Sequence, residues 1–357
     1  MNELSLSELG WNEVWNEELS KLEREGLQPM RVAQASRGQL RLLGMGEPVS
    51  ATLRGRFKDP VAEGSEVPVV GDWVAADLSS GSAVVEHVLK RISCFVRKSA
   101  GKSSKPQVLA ANLDRIFIVT ACGRDFNPRR IERYLAAVWS SGAEPVVVVN
   151  KTDLPHDRIA MMEELNSVAL GVETAMVNTR DEDGLDKLTP LLESGMTIAL
   201  VGSSGVGKST IINILLGDDR QATQETREGD QKGRHTTSAQ ELFVTRNGLI
   251  LIDTPGMREL GLFDAESGME QTFSDISELA DGCRFRDCSH TSETGCAVLA
   301  AVEDGVLELE RLESYQRQRR EIAHNERRAG ENSKKRWKWI ESVKRERKKI
   351  HDKAGLK

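Results

Sequence analysis

The sequence lacks several features that would assign it to common classes of protein. No apolar run approaches the roughly 20 residues of a membrane-spanning helix, and no basic stretch followed by an apolar one stands at the N-terminus. We therefore expect neither a membrane span nor a signal peptide, and we expect a cytoplasmic protein. Aromatic residues make up only 4% of the 357 residues. A chain of this length predicts two or three domains.

Cysteine is also scarce, and its odd count of five argues against a framework of disulfides. Three of the five fall within fourteen residues that also contain a histidine, in the pattern Cys283-x4-Cys288-x-His290-x5-Cys296. Three thiolates and one imidazole form a closed tetrahedral Cys₃His site, which predicts one structural zinc ion. The alternative is a cluster of free thiols beside an unrelated histidine.

Net positive charge is missing from the chain as a whole, but not from its C-terminal part. The formal charge is −6, yet residues 311–357 contain 17 basic and 7 acidic residues, against 32 basic and 48 acidic in the remainder. A basic tail on an acidic body indicates an anionic partner that the tail contacts. A solvated helix end would have the same composition, so composition alone leaves both explanations open.

One short segment of the sequence carries most of the functional prediction. After the short apolar segment 197–201, the chain matches the phosphate-loop pattern G-x-x-x-x-G-K-[ST] without a mismatch. Glycines let backbone N–H groups surround a phosphate, and the following helix adds partial positive charge at its N-terminus. Lys208 is predicted to reach the β- and γ-phosphates, and Ser209 to ligate Mg²⁺. The residues assigned to phosphate binding are Gly202, Ser203, Ser204, Gly205, Val206, Gly207, Lys208, Ser209 and Thr210.

A second motif predicts which base the site reads. The all-valine segment 146–149 ends in Asn150-Lys151-Thr152-Asp153, which matches N-K-x-D. The carboxylate of Asp153 can accept hydrogen bonds from N1–H and the N2 amino group of guanine, whereas adenine would leave it buried and unpaired. We therefore predict GTP and GDP as ligands, with Asn150, Lys151 and Asp153 at the base. Residues 178–180 are assigned to a backbone contact with the base by position only.

Two later segments are typical of the switch regions of a GTPase. Gly233-Arg234-His235-Thr236-Thr237 lies in a polar stretch where a mobile Mg²⁺-ligating threonine is expected, at Thr236 or Thr237. The apolar segment 249–252 then ends in Asp253-Thr254-Pro255-Gly256, a D-x-x-G motif. Asp253 is predicted to reach Mg²⁺ through water, and the N–H of Gly256 to sense the γ-phosphate.

The position after Gly256 bears on catalysis. Many GTPases have a glutamine there to orient the attacking water, but this chain has Met257, and a thioether cannot do so. Slow intrinsic hydrolysis is therefore expected, with His235 as the nearest replacement in the sequence. The alternative is that His235 is a solvated loop residue. The candidate catalytic residues are His235, Lys208, Thr236, Thr237 and Gly256.

The order of these motifs differs from that of ordinary GTPases, because N-K-x-D comes first, about fifty residues before the phosphate loop. A sheet can keep its architecture when the chain is opened elsewhere, provided that its original ends lie close together. The order therefore predicts a circularly permuted α/β P-loop GTPase domain over residues 106–268. Within this domain, a helix is expected at residues 128–141.

The flanking regions predict three further units. Residues 1–29 are expected to form an amphipathic helix closed by Gly26 and Pro29, with Trp11, Trp15, Leu19 and Leu22 on one face. This helix is expected to dock on the body of the protein. Residues 30–98 have five short candidate strands (30–35, 39–43, 49–57, 69–77 and 83–97), which favours an OB-fold β-barrel. Its basic edge, Lys90 to Lys105, would bind RNA, or the barrel only packs against its neighbour.

The C-terminal region is expected to be helical. Residues 269–330 form the predicted α-helical zinc-binding domain, with a helix at 298–328. Residues 331–357 form a basic tail, in which a helix that includes Trp337 and Trp339 is expected at 332–351. Charge combined with aromatic residues fits RNA contact, although a solvated helix has the same pattern.

With permuted GTPase motifs between a β-barrel and a Cys₃His cluster, the chain resembles the ribosome small-subunit-dependent, circularly permuted GTPases, known in bacteria as RsgA, YjeQ or YloQ. The resemblance covers about residues 30–330. It implies GTP hydrolysis stimulated by the 30S subunit during late assembly of that particle, with 16S rRNA as a partner of a monomeric protein. The unclear base contact at residues 178–180 departs from the family pattern.

Two rival functions belong to other classes. A non-catalytic RNA-binding scaffold would use GTP only for folding, and a turnover assay with and without ribosomal subunits would distinguish it. A membrane-recruited signalling GTPase is disfavoured because the sequence carries no lipidation signal.

Overall fold

The structure is a computed structural model, and it describes residues 4–36, 39–57, 67–79, 82–98, 106–217, 240–253, 266–325 and 327. Within these ranges the chain forms a closed β-barrel, an α/β layer and a helical C-terminal region. Among the described helices, none combines the length and the apolar character needed to cross a membrane. The predicted basic helix at 332–351 and the basic segment 99–105 lie outside the described residues.

Five strands form the barrel: β1 (Leu27–Ser36), β2 (Gln39–Leu43), β3 (Val49–Leu53), β4 (Trp73–Asp77) and β5 (Ala83–Val88). They pair in the order β1-β2-β3-β5-β4, and β4 pairs again with residues 27–31 of β1 to close the sheet. Alternate apolar side chains such as Val32, Leu42, Val74 and Val85 are buried inside it. The predicted five-stranded OB-type barrel is confirmed, although β3 and β4 are shorter than the sequence predicted.

The N-terminal helix is shorter than predicted. Helix α1 spans only Glu13–Ser20, where Asn12 caps it by accepting a hydrogen bond from the N–H of Val14. The prediction that the helix ends at Pro29 is wrong, because Pro29 lies within β1 opposite Ala75. Proline is tolerated there because this part of β1 has a neighbour on one side only. The predicted docking is confirmed, since Trp15 is buried and Trp11 packs 4.7 Å, centroid to centroid, from Trp73.

The single strand predicted at 83–97 is in fact two strands. β5 ends at Val88, and β6 (Cys94–Lys98) pairs with β7 (Pro106–Ala111) in a separate hairpin. Between the two strands, Arg91 points inward and forms a two-pronged ion pair with Asp72, with both N···O distances 2.6 Å. Arg91 is 2% exposed, so it does not belong to the basic edge predicted to meet RNA.

The α/β layer has the predicted permuted connectivity. Its strands are β8 (Arg115–Ala121), β9 (Glu144–Asn150), β10 (Glu173–Met176), β11 (Thr197–Gly202), β12 (Glu241–Val244) and β13 (Ile250–Asp253), in the order β10-β9-β8-β11-β13-β12. All neighbouring pairs are parallel except β12 with β13. The strand that ends in N-K-x-D therefore precedes the phosphate-loop strand in the chain, while both belong to one sheet.

Three helices flank this sheet: α2 (Pro128–Ser141), α3 (Arg158–Val168) and α4 (Lys208–Leu216). The bounds of α2 agree with the prediction, because its local signals are strong. The Asn127 side chain accepts from the N–H of Arg130, Pro128 begins the helix, and Gly142 ends it at a φ of 84°. A C-terminal glycine in this left-handed conformation avoids the strain that another residue would suffer.

The barrel and the α/β layer share one continuous sheet. β1 pairs with β12 at Gln34 and Glu241, and β1 also supplies Arg31, which is 1% exposed. The guanidinium of Arg31 donates to the carbonyls of Leu9 and Asn112 and, at 2.8 Å, to the hydroxyl of Thr197. This buried side chain therefore joins the N-terminal segment, the barrel and the first residue of β11.

The C-terminal region consists of α5 (Glu266–Thr272), α6 (Ser274–Ala280), α7 (Ala297–Glu303) and α8 (residues 309–325). The continuous helix predicted at 298–328 is wrong, because the chain breaks between α7 and α8, where Gly305 adopts a φ of 72°. Phe273, Ile276, Val298 and Leu312 are buried in a core that also includes Cys288 and Cys296. The metal-ligand candidates are therefore part of the packing of this region.

Candidate functional site

The predicted guanine motif and phosphate loop meet at one edge of the parallel sheet. Register pairs Gly202 with Val119 and Asn150 with Ala121, so β8, β9 and β11 all end at this edge. Carboxyl ends of parallel strands are where loops of α/β proteins bind ligands. The structure therefore brings together two motifs that are some fifty residues apart in the chain.

Backbone geometry explains why glycines occupy the phosphate loop. Gly202 has a φ of 141° and Gly207 a φ of 103°, in the region that favours glycine. A Cβ on Gly202 would overlap the carbonyl of Val119, and one on Gly207 would overlap the side-chain amide of Asn150. The second clash matters for function, because it shows that the loop and the guanine motif pack directly against each other.

Lys208, the first residue of α4, folds back over the loop. Its Nζ donates to the carbonyl of Gly202 at 2.9 Å and to the carbonyl of Ser203. The ammonium group thus lies over the concave side of the loop, where phosphates bind in proteins of this pattern. Ser209 and Thr210 follow it in the first turn of α4 and are exposed.

Two residues of the guanine motif hold the loop. The Asn150 side chain is 0% exposed, and its Nδ2 donates to the carbonyl of Val206 at 2.9 Å. Lys151 has a φ of 59°, and its Nζ donates to the carbonyl of Gly205 at 2.7 Å. The N-K-x-D motif is therefore a structural partner of the phosphate loop as well as a candidate base reader.

The candidate base-reading carboxylate already has a cationic neighbour. Nη1 of Arg180 donates to Oδ2 of Asp153 at 2.8 Å, and the Arg180 side chain is 78% exposed. Thr179 donates its N–H to Oδ1 of Asn150 at 3.3 Å. The segment assigned to the base by position alone thus lies beside both motif residues.

The remaining predicted nucleotide residues fall into two groups. Asp253 ends β13, which is parallel and adjacent to β11, so it lies at the same edge as the phosphate loop. His235, Thr236, Thr237 and Gly256 lie outside the described residues, as does Met257. Their predicted roles therefore stay predictions.

A pocket of about 640 Å³ adjoins the loop. It is lined by residues 121–125, Lys151, residues 154–155, Ser204 and Gly205. Its wall includes the Cys122 thiol, whose Sγ is 3.7 Å from Nε2 of His156. Burial raises the pKa of Cys122, and the charge of Asp153 acts in the same direction, so the thiol stays protonated.

The four predicted metal ligands converge. Their ligand atoms all lie within 4.8 Å of one another, with Cys283 Sγ 3.9 Å from Cys296 Sγ and His290 Nδ1 3.4 Å from Cys296 Sγ. Zinc–ligand bonds of about 2.3 Å to sulfur and about 2.0 Å to nitrogen give tetrahedral edges of roughly 3.8 Å between two sulfur atoms and roughly 3.5 Å between sulfur and nitrogen. These spacings fit a four-coordinate metal ion.

The electrostatics of the cluster also suit a metal. Burial lowers the pKa of His290, which keeps the imidazole neutral and its Nδ1 available as a ligand. Burial raises the pKa of Cys283, but hydrogen bonds from the backbone N–H groups of Val298 and Ala297, together with those to the Cys296 and Cys288 thiols, leave this pKa below its usual value. These N–H groups come from the first turn of α7, so that helix stabilises negative charge on sulfur.

Sequence reasoning missed the residue that shapes the metal loop. Glu293 accepts hydrogen bonds from the hydroxyl and N–H of Ser289 and from the N–H groups of Thr291 and Ser292. The side-chain and backbone hydrogen bonds lower the pKa of Glu293 well below its usual range. A carboxylate three residues after His290 and three before Cys296 was the available signal, because short loops are often closed by such acceptors.

It also missed a buried ionic network between α2 and the C-terminal region. Glu132 is 0% exposed and accepts from Arg129 at 2.6 Å and from Arg311 at 2.8 Å. Arg311 is 3% exposed and forms two further bonds to Asp275, each 2.8 Å. The hydroxyl of Ser314 completes the contacts of Glu132. No local pattern marks the central pair, since Glu132 and Arg311 are 179 positions apart.

Comparison with known families agrees with this arrangement. A family model described as "RsgA GTPase" matches residues 88–263, and one described as "50S ribosome-binding GTPase" matches residues 197–331. The first spans the guanine motif and the phosphate loop in their permuted order, whereas the second begins at β11.

Individual relatives cover most of the chain. A protein of Opitutus terrae named "Small ribosomal subunit biogenesis GTPase RsgA" is 41% identical over 97% of this chain and 99% of its own length. A protein of the same name from Methanosarcina acetivorans is 48% identical over 73% of this chain and 72% of its own.

A solved structure has the same fold. The crystal structure of YjeQ from Thermotoga maritima matches with a TM-score of 0.62 and 25% identity, covering 83% of this chain and 99% of that one. The permuted sheet, the barrel before it and the relative matched along 99% of its own length lead to one conclusion. This chain belongs to the RsgA family of GTPases.

Proposed function

We propose that this GTPase binds the 30S ribosomal subunit and hydrolyses GTP there during late maturation of the subunit. The names of its relatives support the small subunit as partner. The observation that supports guanine nucleotides most strongly is the direct link between the two motifs, through Asn150 to Val206 and Lys151 to Gly205. We further propose 16S rRNA as the contact surface, a monomeric protein and a cytoplasmic location.

In the proposed site, Asp153 reads guanine and Arg180 leaves it when the base binds. Asn150 and Lys151 hold the phosphate loop in register with the base. The loop N–H groups of residues 202–210 surround the phosphates, and Lys208 neutralises charge on the β- and γ-phosphates.

Magnesium would be held by Ser209 and, through water, by Asp253, and it would offset charge between the β- and γ-phosphates. The exposed hydroxyl of Ser209 in the first turn of α4, and the position of Asp253 at the same sheet edge, are compatible with this. Thr236 or Thr237 would add a ligand, and the N–H of Gly256 would sense the γ-phosphate.

We propose that Cys283, Cys288, His290 and Cys296 hold one structural zinc ion. The ligand spacing and the neutral His290 support this, and with four protein ligands no coordination position remains for substrate. The ion would tie α6 to α7, because Cys283 follows α6 and Cys296 caps α7.

His235 is proposed to position the attacking water or a group that activates it. The support comes from Met257, which cannot orient water, and from the polar segment that contains His235. A solvated loop histidine is the alternative.

The experiment that tests the function is GTP turnover measured with the protein alone, with 30S particles and with 50S particles. We expect stimulation by 30S and little by 50S. Stimulation by 50S alone would instead favour the function described for the second family model. Equal turnover in all three reactions would contradict both partners.

The alternative function is a non-catalytic RNA-binding scaffold, in which GTP only supports folding. The contacts from Asn150 and Lys151 to the loop favour this function if bound nucleotide stabilises them. It predicts that nucleotide raises the melting temperature, while turnover stays at the background rate even with 30S.

A further inference from the structure

We propose that Arg130 of α2 is a positioning residue for GTP hydrolysis. In this proposal Arg130 holds Ser203, and through Ser203 it fixes the Lys208 ammonium group that meets the phosphates. The proposal rests on the function proposed above, in which Lys208 neutralises the β- and γ-phosphates.

Arg130 connects α2 to the phosphate loop. Nη1 of Arg130 donates to the side-chain hydroxyl of Ser203 and, at 3.0 Å, to Oδ1 of Asp125. Arg130 lies in the first turn of α2, and Asp125 lies just before that helix. The guanidinium therefore bridges a carboxylate on one side and the second residue of the loop on the other.

Ser203 in turn forms a hydrogen bond with Lys208. The carbonyl of Ser203 accepts from Nζ of Lys208, as the carbonyl of Gly202 does at 2.9 Å. Ser203 is thus held by its hydroxyl from α2 and holds the lysine by its carbonyl. A shift of Ser203 would move an acceptor of the ammonium group, and small misplacements of a catalytic group reduce rates steeply.

Arg130 occupies a position in α2 that the dipole of the helix alone disfavours for a cation. The first turn of α2 contains two arginines and no acidic residue, although the positive end of the helix dipole destabilises cations there. Arg129 is accommodated by Glu132 and Glu308. Arg130 is accommodated by Asp125 and by Ser203, so the loop contact accounts for its position.

The surroundings keep the bridge partly shielded from water. Oδ2 of Asp125 is buried and has no hydrogen-bond partner among the described residues, so the carboxylate depends on Arg130. Tyr134, one turn further along α2, is 7% exposed. Burial raises the pKa of Tyr134, and Arg130, Asp125 and Ser203 all act on its phenol. Since Arg130 itself is 39% exposed, we expect a graded effect on rate and little effect on folding.

A double-mutant cycle tests this chain of contacts in the full-length protein. The variants are Arg130→Ala, Ser203→Ala and the two combined, with Arg130→Lys as the conservative change. Turnover with and without 30S gives kcat and KM, binding of a fluorescent GDP analogue gives Kd, and thermal melting reports folding. Arg158→Ala is the matched control, because Arg158 is an exposed arginine in the first turn of α3.

We expect Arg130→Ala to lower kcat about tenfold, with GDP affinity and melting temperature changed little. Ser203→Ala should lower kcat in the same way, and the double variant should lose no more than the larger single loss. Arg130→Lys should recover part of the rate, because an ammonium can still donate to Ser203. Arg158→Ala should match the wild type.

Additive losses in the double variant would overturn the proposal, because Arg130 would then act other than through Ser203. An Arg130→Ala protein with wild-type kcat would overturn it too, and so would equal losses of kcat, GDP affinity and melting temperature, which indicate a structural role. Wild-type protein without turnover, even with 30S, would refute the proposed function and the inference together. Additive losses in an active protein refute the inference alone.

Discussion

Replacing Arg311 with methionine should destabilise the C-terminal region more than any exposed charge change in the same helix. Arg311 donates to Glu132, to both oxygens of Asp275 and to the carbonyl of Thr272, and its guanidinium lies 4.6 Å from the ring centre of Phe273. Methionine keeps the apolar stem against Phe273 but removes every one of these donors.

The size of the expected destabilisation depends on the hydrogen-bond donors that remain around Glu132. Breaking a buried ion pair by removing one partner costs about 3–5 kcal/mol, because the other charge stays buried. Glu132 is 0% exposed but keeps Arg129 and Ser314, and the 27% exposed Asp275 can rehydrate. We therefore expect the lower end, about 3 kcal/mol, or an increase of about 150-fold in the opening equilibrium.

Hydrogen exchange followed by mass spectrometry measures this region by region. Peptides from residues 266–325 should lose protection in Arg311→Met, while barrel peptides should not change. The control is Arg320→Met, since Arg320 is exposed and donates at 3.3 Å to the carbonyl of Gln316. A loss of less than about threefold, or an equal loss in the control, would refute the reasoning about the buried network.

Three further predictions concern the proposed site. Asp153→Asn should shift preference from guanine toward xanthine nucleotides, whose C2 oxo group needs a donor, and competition binding checks this; comparable native affinities for ATP and GTP would contradict guanine reading. Elemental analysis should find about one zinc per chain, and Cys288→Ala should reduce hydrogen-exchange protection at residues 270–325 more than in the α/β layer; metal-free protein from unchelated purification would exclude the ion. His235→Ala should lower 30S-stimulated turnover while GTP affinity stays nearly unchanged; equal stimulated rates in mutant and wild type would make His235 a solvated loop residue.

Local signals made much of the α/β layer predictable. α2 has a capping asparagine, a proline at its start and a glycine at its end, and its bounds agree with the prediction. The valine-rich β9 and the apolar β11 lead directly into motifs with fixed spacing. Because phosphate binding needs particular backbone conformations at Gly202 and Gly207, the residue types themselves indicate the loop.

Contacts between distant residues were not predictable from the sequence. Arg91 was counted with the basic edge, but its partner Asp72 lies nineteen positions earlier and draws it inward. Arg180 was assigned by position only, and the pairing with Asp153 depends on how β9 and β10 align. In each case the side chain's partner is set by tertiary structure, and no periodicity records it.

The arrangement of these contacts shows how the permuted chain fixes its phosphate loop. β11 begins at Thr197, whose hydroxyl accepts from the buried Arg31 of the barrel and whose N–H donates to Asp114 at 2.8 Å. Burial lowers the pKa of Arg31 to about 10, which still leaves it charged at neutral pH. Beyond the other end of the strand, Asn150 holds the phosphate loop at the carbonyl of Val206.

All of these supports precede the loop in the chain, whereas the D-x-x-G motif follows it. The order separates two tasks. Residues before the loop hold it from the barrel side and from the guanine side, so they need not move with the γ-phosphate. The residues proposed to sense the γ-phosphate, beginning at Asp253, instead precede α5 and the Cys₃His region in the chain. If rigid support and switching are divided in this way, substitutions at Arg31 or Asn150 should weaken the binding of GDP and of GTP by the same factor. Substitutions after Asp253 should instead change only the ratio of the GTP affinity to the GDP affinity.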